Sequence, residues 1–173
     1  MIGTQPAIQD VWDWLAEVAD PEIPVVSVTE LGIVRAVEHE DVTLVVTVTP
    51  TYSGCPATGL IIQMIEAKLR SRGVEQFRVQ QRLSPPWTTD WMTTEARRKL
   101  KSFGIAPPVD GTAATGRMGA KAASLMGGPQ RTVACPRCES THTEKISEFG
   151  STPCKAAYRC RDCLEPFDYF KCI

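Results

Sequence analysis

The sequence predicts an α/β chain in which a small mixed β-sheet packs with helices, followed by a separate four-cysteine ribbon. Three observations carry this expectation. Apolar residues recur at helical spacing around Ile8–Val18 and Leu60–Leu69, β-branched residues fill Val42 to Thr49, and two Cys-x-x-Cys pairs stand near the C-terminus.

The elements follow in order. Ile8, Val11, Trp12, Leu15 and Val18 share a helix face, and Pro21 ends that helix. Ile33 to Val37 reads as a short strand and His39-Glu40-Asp41 as a turn. Val42, Leu44, Val46 and Val48 then alternate with threonines and Val45, the strongest strand pattern in the chain. Thr49 to Gly54 is loop. A helix from Pro56 to Arg72 places Leu60, Ile61, Met64, Ile65 and Leu69 inward, with Gly73 as its stop. Phe77, Val79 and Leu83 form a third strand, broken by Pro85-Pro86. A helix from about Trp91 to Phe103 carries Arg97, Arg98, Lys99 and Lys101 on what reads as a solvated face. A crossover through the Pro56 helix makes the sheet mixed. The stretch 107–131 is rich in Gly, Ala and Pro and reads as a linker, which sets domains at 1–106 and 132–173. In the second, Thr141 to Ile146 and Ala156 to Arg159 read as ribbon strands.

Composition narrows the function classes. Apolar residues make up 43% of the 173 and charged residues 23%, with a net charge of −1, so no global field draws the chain toward nucleic acid or anionic membrane. No apolar run approaches the roughly 20 residues of a membrane span. The first ten residues lack the pattern of a secretory signal, and the protein is read as cytoplasmic. In a reducing compartment, clustered cysteines hold metal or do chemistry more often than they form disulfides.

Cys135-Pro-Arg-Cys138 and Cys160-Arg-Asp-Cys163 are such a cluster. Two Cys-x-x-Cys turns complete a closed tetrahedral set of four sulfurs, which suits structural zinc and also binds iron. The segment is too short to fold on its apolar surface alone, so the metal supplies folding energy. Cys154 and Cys172 are accessory thiols, packed or free, that a cluster or ligand swap would recruit. From Thr132 onward six Lys/Arg balance six Asp/Glu, against the basic excess of a phosphate-binding surface. Phe149, Tyr158, Phe167, Tyr169 and Phe170 therefore read as a core or a protein interface rather than a base-stacking platform.

Cys55 stands apart. Before Pro56 it falls at or near the N-cap of a helix, where amide donors and the helix dipole favour thiolate. Asp20-Pro-Glu-Ile-Pro24 presents two carboxylates from a loop fixed by two prolines. A buried inert cysteine and solvated carboxylates are the plainer readings of these two stretches taken singly.

Taken together, Asp20-Pro-Glu-Ile-Pro-Val-Val-Ser-Val-Thr-Glu-Leu-Gly-Ile-Val-Arg35 and Thr49-Pro-Thr-Tyr-Ser-Gly-Cys-Pro-Ala57 resemble the metal–sulfur cluster biosynthesis family that includes SufT-type iron–sulfur assembly factors. The ribbon, with Phe149-Gly-Ser-Thr-Pro-Cys-Lys155 and Glu165-Pro-Phe-Asp-Tyr-Phe-Lys-Cys172, narrows the resemblance to the members that serve the phenylacetyl-CoA epoxidase of phenylacetate catabolism. It spans nearly the whole chain and is weakest across 107–131. It implies a cluster or metal transfer site at Asp20, Glu22, Thr49, Thr51 and Cys55, with Cys55 as thiolate ligand or nucleophile. It also implies epoxidase components as partners, above all the iron–sulfur reductase component, and a transient iron–sulfur cluster or iron as cargo.

Three classes of function compete. The first is a non-enzymatic assembly factor. The second is an interaction subunit holding structural zinc alone. The third is a thiol enzyme, disfavoured because neither His39 nor His142 is placed by local sequence to activate Cys55. Gly111-Thr-Ala-Ala-Thr-Gly116 lacks the Gly-Lys-Ser/Thr ending of a phosphate-binding loop. A small sheet with exposed edges makes a homodimer plausible.

Overall fold

A computed structural model describes residues 5–109 and 132–171. The chain divides into two compact units, Met1–Trp87 and Thr88–Ile173. Most of the expected linker, and Cys172, lie outside the described residues.

The first unit runs α1 (Ile8–Ala16), β1 (Val34–Glu40), β2 (Thr43–Val48), α2 (Ala57–Ser71) and β3 (Phe77–Gln81). Its sheet has the order β1-β2-β3, with β1 and β2 antiparallel and β2 and β3 parallel across the α2 crossover. This is the mixed sheet the sequence predicts. The hairpin turns at Asp41, whose φ of 54° lies in the left-handed region that Asp tolerates. Strand β1 therefore runs through His39 and Glu40, and Val42 sits in the turn and is exposed. In β2 the alternation does not separate a wet face from a dry one: Leu44 to Val48 are all buried. The buried Thr47 keeps its hydroxyl satisfied by accepting from Gln80 Nε2 at 2.9 Å. Val11 and Leu15 of α1 and Ile61, Ile65 and Leu69 of α2 are buried in the core. Leu60, expected inward, is exposed, because the buried stripe of α2 runs through Ala57, Ile61, Ile65 and Leu69. Gly73 ends the crossover with φ 79°, where a Cβ would be strained. Leu83 is exposed beyond the end of β3.

The second unit contains a 3₁₀ turn (Thr89–Trp91), α3 (Thr94–Ser102), β4 (Ile105–Ala106), β5 (Thr143–Ser147), β6 (Lys155–Cys160) and β7 (Pro166–Phe170). The helix expected from Trp91 is broken: Thr93 accepts from the Ala96 amide at 3.0 Å and caps α3 there. The sheet order is β4-β7-β6-β5, antiparallel except for β4 beside β7. Helix α3 and β4, which the sequence reading places with the first domain, thus belong to this compact unit, because Ile105 and Ala106 pair with Asp168 and Tyr169. The cationic run on α3 is only partly a solvated face. Arg97 donates to the carbonyls of Pro108 at 2.7 Å and Thr89 at 2.8 Å, Arg98 pairs with Glu95, and Lys101 with Glu139. No helix among the described residues is long and apolar enough to cross a membrane.

Candidate functional site

In the ribbon, one Cys-x-x-Cys turn precedes β5 and the other joins β6 to β7. The antiparallel pairing of β5 with β6, Thr143 opposite Cys160, brings the two turns together. The four sulfurs of Cys135, Cys138, Cys160 and Cys163 all lie within 4.8 Å of one another, with Cys138 and Cys160 at 3.5 Å and Cys135 and Cys163 at 3.8 Å. A zinc bound tetrahedrally by four thiolates at about 2.3 Å sets its sulfurs roughly 3.8 Å apart, so the set fits the ion. Cys135 and Cys160 are buried, whereas Cys138 and Cys163 are exposed.

Within the set, thiols perturb one another in opposite directions. The Cys160 thiol is lowered to about 7, chiefly by the Cys163 backbone amide donating to its sulfur, with help from the Asp162 amide and the Cys138 thiol. The Ser140 amide acts to lower Cys138, but hydrogen bonding with the Cys160 and Cys163 sulfurs outweighs it and pushes that thiol up to about 12. One ion displaces all of these competing protons. Two of the four cysteines sit in the core of the unit: Cys135 and Cys160 pack with Ala106, Val133, Ala156, Phe167 and Tyr169. Tyr158 stacks on Phe167 at 5.8 Å and meets Tyr169 edge-on at 5.6 Å, so these aromatics are core. Phe149 is exposed, with Lys171 Nζ 4.7 Å from its ring centroid. Cys154 is buried outside the four-sulfur set, its Sγ 3.0 Å from Thr152 Oγ1.

In the first unit the chain enters β1 and leaves β2 at one end of the sheet. Val34, at the start of β1, pairs with Val48, at the end of β2. The Thr49 amide then donates to Ile33 O at 2.8 Å. The segment before β1, with Asp20 and Glu22, and the segment after β2, with Thr49, Thr51 and Cys55, therefore leave the sheet at the same end. Arg82, just past β3, donates from its amide to Val48 O there at 2.8 Å.

The Asp20 loop is built rather than loose. Asp20 is buried, and its Oδ1 accepts from the amides of Glu22 at 2.9 Å and Ile23 at 2.8 Å. Ser27 and Glu30 form a reciprocal capping box, Ser27 N donating to Glu30 Oε2 at 2.9 Å and Glu30 N to Ser27 Oγ at 3.1 Å. Thr49 and Thr51 are buried as well. The N-cap of α2 is Pro56, not Cys55. Proline fixes φ at −65° and enters the helical region itself, which moves Cys55 one residue outside. Cys55 is half-buried, donates its amide to Tyr52 O and accepts from Thr58 N, both at 3.2 Å. Among the described residues, no group of three or more His, Cys, Asp or Glu other than the ribbon set gathers its ligand atoms.

Sequence reasoning passed over Ser140, His142 and Asp162, which lie between or just beyond the cysteines and hydrogen-bond to one another. Polar residues flanking a Cys-x-x-Cys turn are the one signal that marks them.

The fold and site define a protein with a small mixed α/β domain followed by a four-cysteine ribbon of the zinc-binding type. Residues 8–80 match the iron-sulfur cluster assembly protein family, and residues 120–171 match the PaaD zinc beta ribbon domain. The provisionally named D component of a 1,2-phenylacetyl-CoA epoxidase of Escherichia coli (strain K12) is 46% identical over 97% of this chain and 94% of its own length. The chain belongs to this PaaD family of epoxidase components. An Fe-S protein maturation auxiliary factor of Porphyromonas gingivalis (strain ATCC BAA-308 / W83) is 36% identical, over 53% of this chain and 89% of its own. The crystal structure of a domain of unknown function from Bacillus anthracis is 30% identical, covering 54% of this chain and 90% of that one, with a TM-score of 0.50.

Proposed function

We propose that this chain is a non-enzymatic accessory factor of a phenylacetyl-CoA epoxidase system that assists iron–sulfur cluster or metal assembly in a partner component, with the iron–sulfur reductase component as its main client. The observation that supports this reading is that the segment carrying Asp20 and the loop carrying Cys55 both join the sheet at one end, where Val34 pairs with Val48 and the Thr49 amide donates to Ile33 O. Ligands gather by preference at the carboxyl ends of parallel strands, where the Cys55 loop starts. In this reading the cluster or ion is cargo. Cys55 is the thiolate that takes and passes it, Asp20 and Glu22 shape and charge the facing loop, and Thr49 and Thr51 set the course of the Cys55 loop. The ribbon is a zinc-stapled docking and support module, and the first unit, Met1–Trp87, is the transfer domain.

The test is Cys55→Ser, which leaves the zinc content and fold of this chain unchanged while its client reductase accumulates with reduced iron and sulfide. Normal client cluster content and activity in that variant would remove the transfer role from Cys55.

One observation favours a second reading, an interaction subunit without cargo: among the described residues only the ribbon cysteines assemble as a ligand set. Anaerobic reconstitution decides between them. The second reading expects one zinc and no iron or sulfide in both wild type and Cys55→Ser; the first expects iron that the serine variant loses. Sedimentation on the same samples reads whether the chain works as a homodimer.

A further inference from the structure

Metal is not the only link between the two Cys-x-x-Cys turns. Ser140 follows the first turn and serves four partners. Its amide donates to the Cys138 sulfur, its carbonyl accepts from Cys135 N at 2.9 Å, its hydroxyl donates to Asp162 Oδ2, and the same oxygen accepts from His142 N at 2.9 Å. Asp162 lies inside the second turn. Its amide donates to the Cys160 sulfur, and its other carboxylate oxygen is 3.0 Å from His142 Nδ1. The Arg161 amide closes the circuit on His142 O at 2.8 Å. The two turns are thus joined by side chains that are not ligands.

We propose that Ser140, His142 and Asp162 form a latch that holds the two turns in register and so governs how slowly the ribbon gives up its metal. A competing chelator meets Cys138 and Cys163 first, because these two ligands are exposed. Once one of these thiolates is displaced, the latch keeps its turn beside the other, and the local concentration of the free sulfur stays high enough for rebinding to win. Without the latch only the β5–β6 ladder holds the turns near each other, and a freed ligand moves further from its site before it can rebind. The three are positioning residues, and their role is independent of any function of Cys55.

The test is zinc transfer from the full-length, zinc-loaded chain to the chromogenic chelator 4-(2-pyridylazo)resorcinol, with cobalt substitution to report the tetrahedral four-thiolate spectrum. Ser140→Ala and Asp162→Ala are expected to keep the cobalt spectrum and release zinc about 10- to 100-fold faster. The double variant is expected to be no faster than the quicker single one, because both belong to one circuit. Ser140→Thr, which keeps the hydroxyl, restores the slow rate, and Glu139→Gln, outside the circuit, leaves it unchanged. Wild-type release from both alanine variants with the cobalt spectrum intact would overturn the proposal. If either variant loses that spectrum, His142→Ala, at an exposed position, decides: faster release supports the latch and wild-type release overturns it.

Discussion

In the first unit the buried apolar side chains are mostly aliphatic and come from both helices and both strands of the hairpin: Val11 and Leu15 of α1, Val34 and Val37 of β1, Leu44, Val45, Val46 and Val48 of β2, and Ile61, Ile65 and Leu69 of α2. In the ribbon the buried cluster is small, and two of its members, Cys135 and Cys160, belong to the four-sulfur set. The outer strand β5 buries none of its five side chains fully. The first unit is ordered by apolar burial, and the ribbon is expected to draw much of its order from a metal held by its four cysteines. An ion that holds a fold together is poorly suited to be handed on, since its loss unfolds the carrier. The first unit carries no such constraint, which is a physical reason to assign cargo handling to the Cys55 loop.

The sharpest way to break that comparison is Cys160→Ser. A structural zinc contributes an apparent binding free energy of about 10–16 kcal/mol in small domains at neutral pH, and most of this is lost with one buried ligand. The expected outcome is loss of zinc and of amide-exchange protection in β6 and β7, with protection in α2 and β2 unchanged. Wild-type protection of β6 without metal would show that the ribbon's apolar cluster suffices. The complementary variant is Ile65→Ala, at a fully buried position on α2. It is expected to cost the first unit about 2–5 kcal/mol in chemical unfolding while the zinc content stays at the wild-type value. Loss of zinc in that variant would mean that the units are not independently ordered.

The two units also differ in how much of them the sequence discloses. The four ligands were legible because the spacing of two Cys-x-x-Cys turns is a local record of a three-dimensional site. Strand β2 and helix α2 were legible because their periodicity is set by their own residues, although Leu60 shows that a helical stripe read from composition alone drifts by a position. What escaped depends on distant pairing. Strand β4 has two residues and exists only because Ile105 and Ala106 find β7, whose residues lie far along the chain at Asp168 and Tyr169. Strand β7 begins with Pro166, which hides it from a propensity reading. Arg97 looked solvated because the carbonyls that bind it, Thr89 and Pro108, are placed by the turns on either side of α3. That the chain enters β1 and leaves β2 at the same end of the sheet follows from strand register, and the grouping of Asp20 with Cys55 is reachable in the sequence only through family resemblance.

The smallest expected effect tests whether charge adds to the metal in ordering the ribbon. Glu144, on β5, accepts from its cross-strand partner Arg159 at 3.0 Å and from Arg161 at 3.1 Å. Hydrogen bonds from Arg159 and then Arg161 hold its carboxyl below the ordinary value of 4.5. A carboxylate whose folded value is depressed stabilises the fold above its unfolded value and ceases to do so as pH falls through the folded one. Glu144→Gln is therefore expected to lower the urea midpoint of the zinc-loaded chain slightly at pH 7, with the gap to wild type narrowing as pH falls toward the carboxylate range. Protonation of the cysteine ligands acts on both proteins alike, so the difference between them isolates Glu144. Added salt shrinks the gap at pH 7, because the pairs are exposed and screened. A gap that does not change with pH or salt would leave the ion as the dominant cross-link of β5 to β6, and the contrast between the two units would be sharper still.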